Sequence, residues 1–201
     1  SLYESKSGER GIFNRESAKV QAASNGRRDA DHEFGCNPCS EIILRPYQFC
    51  NLSEVVVRAT DNLETLENKV RLATILGTFQ ATLTDFKYIR KVWKDNTEEE
   101  RLLGVSLTGI LDNQLMSGKS AMFGMNIKTT LQTLKDKAIE TNEKTSKSLG
   151  IPQAAAITCV KPSGTVSQLV DSSSGIHARH NPYYIRTVRG DNKDPLTQFM
   201  V

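Results

Sequence analysis

The chain has 201 residues, 38% apolar and 24% charged, a globular composition long enough for one large domain of the usual roughly 100–200 residues or for a piece of something larger. Lysines and arginines number 26 against 23 acidic residues, and the net charge of +3 is too small to argue for nucleic acid or a membrane surface as partner. No run approaches the ~20 apolar residues of a membrane helix, no signal peptide opens the chain, and four cysteines are too few for a secreted disulfide scaffold, so a cytoplasmic protein is expected.

Both ends read as cut, because the chain opens at Ser1 without a methionine and stops at Val201 without a tail-like composition. In chain order, residues 11–14 suit the end of a short strand, and the polar stretch 15–34 suits a helix followed by a surface loop, with Asn25-Gly26 as a turn. Leu63, Leu66, Val70, Ala73, Leu76, Phe79 and Leu83 follow 3–4 spacing and predict a helix over about 62–84, capped at Asp61. Thr97 followed by Glu100 matches a capping box that opens a short helical turn before the buried strand of 102–110. A second long helix is expected over about 126–149, ended by Gly150 and Pro152. Residues 154–160 form a continuous apolar run, as in a strand buried on both faces, and 183–189 are β-rich and read as a last strand. Helices alternating with buried strands predict an α/β fold with parallel pairing.

The densest reactive cluster is Cys36-Asn37-Pro38-Cys39-Ser40-Glu41, with Cys50 beyond it. Cysteines there can be small buried hydrophobes. Alternatively, the C-x-x-C spacing of Cys36 and Cys39 can hold zinc in a structural module, although Cys50, Cys159, His177 and His180 are scattered as further ligands. The third reading is thiol chemistry: in an extended loop Asn37, Cys39 and Glu41 point to one side, placing an amide, a thiol and a carboxylate in one space. A second constellation, Lys161-Pro162-Ser163-Gly164-Thr165-Val166-Ser167-Gln168, follows the apolar strand. It offers hydroxyls and free N–H groups at a helix start, a phosphate-binding arrangement as much as an ordinary cap. His32, His177 and His180 read as solvated, Met116, Met122 and Met125 as gap fillers, and Trp93 as cover for a core edge.

Asn37-Pro38-Cys39-Ser40-Glu41-Ile42, Phe49-Cys50-Asn51-Leu52 and Pro162–Gln168, in this order, resemble the large catalytic subunit of ribonucleotide reductases. The likeness is to the adenosylcobalamin-dependent class II, ribonucleoside-triphosphate type. Supporting stretches are Ser7–Asn14, Leu83–Phe86, Leu103–Gly109 and Ser174–His177. The resemblance implies that residues 1–201 are the C-terminal part of a ten-stranded α/β barrel with a catalytic finger loop. It implies Cys39 as the thiyl-radical residue, Glu41 as base on the ribose 3′-hydroxyl, Asn37 as a ribose ligand and Cys50 as one member of the reducing pair. Pro162, Ser163, Gly164, Thr165, Val166 and Ser167 would hold the substrate phosphates. Its cofactor would be adenosylcobalamin, and its partners a ribonucleotide, a thioredoxin-like reductant and the remaining parts of the same enzyme. The nearest alternative is a class I large subunit served by a separate radical-generating subunit. Cys36 lies outside the resemblance and would be silent or close a dead-end disulfide with Cys39. Without the rest of the barrel, the 201 residues are expected to be inactive.

Overall fold

The computed structural model describes residues 2–7, 11–118 and 126–200. At its centre two strands, β3 (Asn51–Val56) and β4 (Leu103–Thr108), run parallel in register from Asn51 opposite Leu103 to Val56 opposite Thr108. A parallel pair requires a long crossover. Here it contains two helices, α2 (Leu63–Gln80) and α3 (Lys91–Glu100). On the other edge of β4 lies the apolar run 154–160. Leu103 and Val105 donate to the carbonyls of Ala156 and Ile157, and the Cys159 N–H donates to that of Val105. This run joins through one bridge, Val105 with Thr158, rather than as a full strand. A separate antiparallel hairpin pairs β1 (Gly35–Cys36) with β2 (Ile43–Leu44). The α/β class with parallel pairing is therefore present; the strands among the described residues do not close a barrel.

The core fills the space between this sheet and α2 and α4 (Ile127–Leu149), with Val55, Leu66, Val70, Leu103, Val105, Met116, Leu134, Ala138 and Ile157 all buried. Both long helices start at an asparagine with a reciprocal capping box, Asn62 with Thr65 and Asn126 with Thr129. Asp61 is not the cap of α2; its carboxylate accepts from the Arg58 N–H and pairs with Lys69. The buried face of α2 is the expected one through Leu66, Val70 and Ala73 but departs from it in the last turns. Leu76, Phe79 and Leu83 are exposed, whereas Thr74, Gly77 and Thr78 are buried. Close approach explains the swap: a Cβ on Gly77 would stand 3.5 Å from Leu103 Cδ2 and 3.6 Å from Ser53 Oγ, so small residues fit there and large ones do not.

Four further expectations are corrected. Residues 11–13 form no strand, and Asn14 instead caps α1 (Arg15–Ala23) by accepting from the Ser17 N–H. Thr97–Glu100 is the last turn of α3, which begins at Lys91 and stops at the left-handed Arg101, so the pattern closes a helix instead of opening one. Residues 183–189 are exposed and unpaired, since a β-rich sequence becomes a strand only where an edge receives it. The loop after α1 is not wholly at the surface either: Arg28 and Phe34 are buried. Gly150 ends α4 in the left-handed region at φ +67°, as expected. Met116 is fully buried; Met122, Met125 and the stretch Gly8–Arg10 lie outside the described residues. Trp93 stacks on Phe49 with ring centroids 4.5 Å apart, beside Tyr47.

Candidate functional site

The loop between β1 and β2 is a turn and not an extended segment. Ser40 N–H donates to the Asn37 carbonyl at 2.9 Å, with Pro38 and Cys39 at the corners and Ser40 at φ +62°. Asparagine first and proline second is the composition such a turn selects. The Asn37 side chain locks the loop from inside, its Oδ1 accepting from the Ile42 N–H at 3.0 Å. The one-sided display expected of Asn37, Cys39 and Glu41 is therefore replaced by a division. Cys39 is exposed at the tip, while the Glu41 side chain is turned inward and only 3% exposed. Cys36 lies in β1 with its Sγ 3.5 Å from Ser40 Oγ, and all four cysteines are free thiols.

Glu41 meets the second constellation directly: Lys161 Nζ stands 3.3 Å from its Oε1. Burial opposes ionisation of this carboxyl, but its own backbone N–H, the Asn37 side chain and the Lys161 ammonium outweigh burial and hold it below the usual glutamate range. The other oxygen, Oε2, is buried without a hydrogen-bond partner. An ionised carboxylate with one unclaimed buried oxygen is equipped to take a proton from a hydroxyl brought to it.

Side-chain alternation explains what surrounds it. Ser53 and Leu103 face α2 at Gly77, so Leu52, Glu54, Gly104 and Ser106 face the other way. On that inner face a Cβ on Gly104 would meet Leu52 Cδ2 at 2.4 Å, Cys159 Sγ at 3.2 Å and Ile42 Cδ1 at 3.3 Å. The missing side chain is thus what lets the hairpin and Cys159 settle on the sheet. Glu54 Oε1 and Ser106 Oγ, also inner-face atoms, are buried without partners. Cys50, just before β3, follows the same alternation. Burial first and the neighbouring Cys159 second push its thiol up to about 12. Burial and then Glu41 raise Cys159 to about 11. Both therefore remain neutral thiols at physiological pH, in which state a thiol gives a hydrogen atom or a proton.

In the Pro162–Ser167 loop, Ser163 and Gly164 are both left-handed, at φ +51° and +59°. They turn the chain into α5 (Val166–Leu169), a single turn with no side-chain cap. So short a helix has little dipole to offer an anion. Ser167 Oγ is committed to the Gly164 carbonyl at 2.9 Å, Thr165 and Val166 are exposed, and Ser163 Oγ is buried without a partner. Of the three hydroxyls expected to point at a phosphate, Ser163 and Thr165 have theirs uncommitted. A cavity of about 170 Å³ opens beside Glu41. Its other walls are α1, the Asn25–Arg28 turn and α4, and it reaches neither Cys39, Cys50 nor the Pro162–Ser167 loop; a larger cleft of about 960 Å³ runs from Ser167 and Gln168 to Arg179 and Tyr184.

The structure joins Glu41 to Lys161 and places Cys50 beside Cys159, with Cys39 apart at the loop tip. Sequence reasoning passed over Lys161 as a site residue, Cys159 as more than a stray ligand, and Gly104. The polar residues Glu54 and Ser106, paired across β3 and β4 on the inner face, were the available signal, because strands buried on both faces otherwise read as continuously apolar. Among the described residues no group of three or more His, Cys, Asp or Glu is placed to hold a metal ion, so the zinc reading gains no ligand set there.

No family model matches the chain. It is 31% identical to the adenosylcobalamin-dependent ribonucleoside-triphosphate reductase of Lacticaseibacillus paracasei, over 95% of this chain and 28% of that protein. To the protein of the same name from Lactobacillus leichmannii it is 27% identical, over 95% of this chain and 29% of that one. Among solved structures it is similar to a B-12 dependent (class II) ribonucleotide reductase, with a TM-score of 0.55 and 25% identity over 71% of this chain and 22% of the other. The chain spans less than a third of the length of the curated relatives it matches.

Proposed function

The chain is a relative of the adenosylcobalamin-dependent ribonucleoside-triphosphate reductases, and on that premise we propose that it carries the reacting thiol of such an enzyme, reducing ribonucleotides to 2′-deoxyribonucleotides as part of a longer cytoplasmic protein. In this reading residues 1–201 belong to the C-terminal part of a ten-stranded catalytic barrel, and the β1–β2 hairpin is its finger loop. The observation that carries the proposal is the unclaimed, buried Oε2 of an ionised Glu41, two residues from an exposed thiol.

The roles follow from the positions. Cys39, as a thiyl radical, takes the ribose 3′-hydrogen. Glu41 accepts the 3′-hydroxyl proton at Oε2 while Lys161 holds Oε1, and the 2′-hydroxyl leaves as water. The two thiols of the reducing pair supply two electrons and two protons in all, one proton leaving in the water and one going to C2′; Glu41 returns its proton to O3′, and Cys39 returns the 3′-hydrogen. Cys50, buried and neutral, is one of those thiols; its partner and the thioredoxin-like reductant that regenerates the pair come from outside this chain. Asn37 holds the loop shape and offers its amide N–H₂ to the ribose. The phosphates rest on the Pro162–Ser167 loop through Ser163, Thr165 and the backbone. Adenosylcobalamin, when bound, supplies the organic radical that oxidises Cys39. The chain fits that group at one point, the exposed loop tip, which a bulky cofactor can reach.

The test is substitution in the full-length protein carrying this segment. Cys39→Ala abolishes turnover while leaving nucleotide binding nearly intact, and Cys50→Ser blocks reduction by the thioredoxin-like reductant. Turnover retained in the Cys39 variant would remove the assignment.

A further inference from the structure

A hairpin of two residue pairs, Gly35 with Leu44 and Cys36 with Ile43, is too small to hold a six-residue loop in one place by itself. Besides the Ile42 contact at Gly104, a buried ionic cluster fixes it. The Arg28 guanidinium, buried to 3% exposure, forks onto Glu100, with Nε to Oε1 at 2.8 Å and Nη2 to Oε2 at 2.9 Å. Its Nη1 donates to the carbonyl of Ile43, two residues beyond Glu41, at 2.9 Å, and Nη2 also reaches Gln48 Oε1 at 3.3 Å. Gln48 in turn donates to Glu100 and accepts from the Arg45 N–H. Glu100 is equally tied to the far side, since its carbonyl accepts from the Ala155 N–H at 2.8 Å at the start of the segment that leads to Lys161. Arg45 completes the cluster through a fork onto Glu99, at 2.8 and 2.9 Å.

Three pieces of chain carry the candidate chemistry: the hairpin with Cys39 and Glu41, the approach to Cys50 through Gln48, and the 155–161 segment with Lys161. All three are referenced to one ion pair. Resting on the functional reading above, we propose that Arg28 and Glu100 are a positioning pair that sets the Cys39–Glu41 loop against Lys161 and Cys50. Fold stability alone is a poor reason for such a pair, because well-packed apolar residues of similar volume commonly replace a buried ion pair without loss. A guanidinium fork differs from them in fixing angle as well as distance. Neither residue touches the substrate in this account; both act through the loop.

The experiment uses the full-length protein with three variants: Arg28→Lys, which keeps the charge but not the fork, Glu100→Gln, and the apolar double variant Arg28→Met with Glu100→Leu. A positioning role predicts that Arg28→Lys lowers kcat by about ten- to a hundredfold with KM for nucleotide within about twofold of the parent. It predicts further that the double variant, whatever its melting temperature, remains as slow as Arg28→Lys. Recovery of kcat together with melting temperature in the double variant would show a merely structural pair and overturn the proposal, as would an Arg28→Lys enzyme of full activity. Cys39→Ala, run alongside, separates the failures. If it too is active, the site reading has failed; if it is dead while Arg28→Lys is not, only the positioning role has.

Discussion

Replacing Lys161 by methionine keeps the aliphatic stem and removes the charge that stands 3.3 Å from Glu41. Two unit charges at that distance attract by about 1 kcal/mol in water and about 5 kcal/mol at an effective dielectric of 20. Glu41 is 3% exposed and Lys161 29% exposed, so the pair sits between these limits and nearer the second. Losing the ammonium therefore makes Glu41 easier to protonate. The sign is fixed by what remains: burial, which disfavours the carboxylate, is then opposed only by the backbone N–H and Asn37. In the parent, the acid limb of kcat/KM lies below the ordinary glutamate range, and activity falls only as pH drops through it. In Lys161→Met that limb moves to higher pH, and activity at mildly acidic pH is lost first. The assay is deoxynucleotide formation by the full-length protein across the acid range, with Glu41→Gln as a control that is inactive throughout. An acid limb that stays in place, or moves down, would refute Glu41 as the base that Lys161 tunes.

Gly104→Val inserts side-chain atoms where Leu52, Cys159 and Ile42 already meet. It should cost about 1–3 kcal/mol and lower kcat by displacing the hairpin, with Leu52→Ala restoring part of the loss; an unaffected single variant would show that the hairpin does not rest on that glycine. Iodoacetamide at pH 8 should label the exposed Cys39 well before Cys50 and Cys159. A thiol with a pKa of about 12 is ionised there to roughly one part in ten thousand, and peptide mass mapping that found Cys50 labelled first would contradict its burial. The 201 residues alone should form no detectable deoxynucleotide, because on the proposed reading the thiol partner of Cys50 comes from outside them and the described strands do not close a barrel; measurable turnover by the isolated chain would show that a complete site is present.

The elements that were legible in the sequence are those whose signals are local. Gly150 followed by Pro152 ended α4 where the structure ends it, and the apolar run of 102–110 contained β4. Packing between elements was not legible. The first part of α2 packs as its spacing suggested, through Leu66, Val70 and Ala73, but its last turns were misjudged, because Gly77 lets the helix approach the sheet so closely that Thr74 and Thr78 are buried in place of Leu76 and Phe79. The same holds at the site. Asn37, Cys39 and Glu41 were recognisable as a reactive group, but the turn at Pro38 divides them, and the partner of Glu41 is a lysine 120 positions away. Arg28, read as part of a polar surface loop, is buried because its charge is answered by Glu100, 72 positions on. Long-range ion pairs leave no periodic trace, so buried charges of this kind are visible only once the chain is folded.

The most direct measurement is nucleotide reduction by the full-length protein, with a thiol reductant present, with and without adenosylcobalamin. Deoxynucleotide formation should require the cofactor and disappear in Cys39→Ala. Turnover that needs Cys39 but proceeds without the cofactor would contradict the assigned radical source, and turnover that survives Cys39→Ala would contradict the site itself.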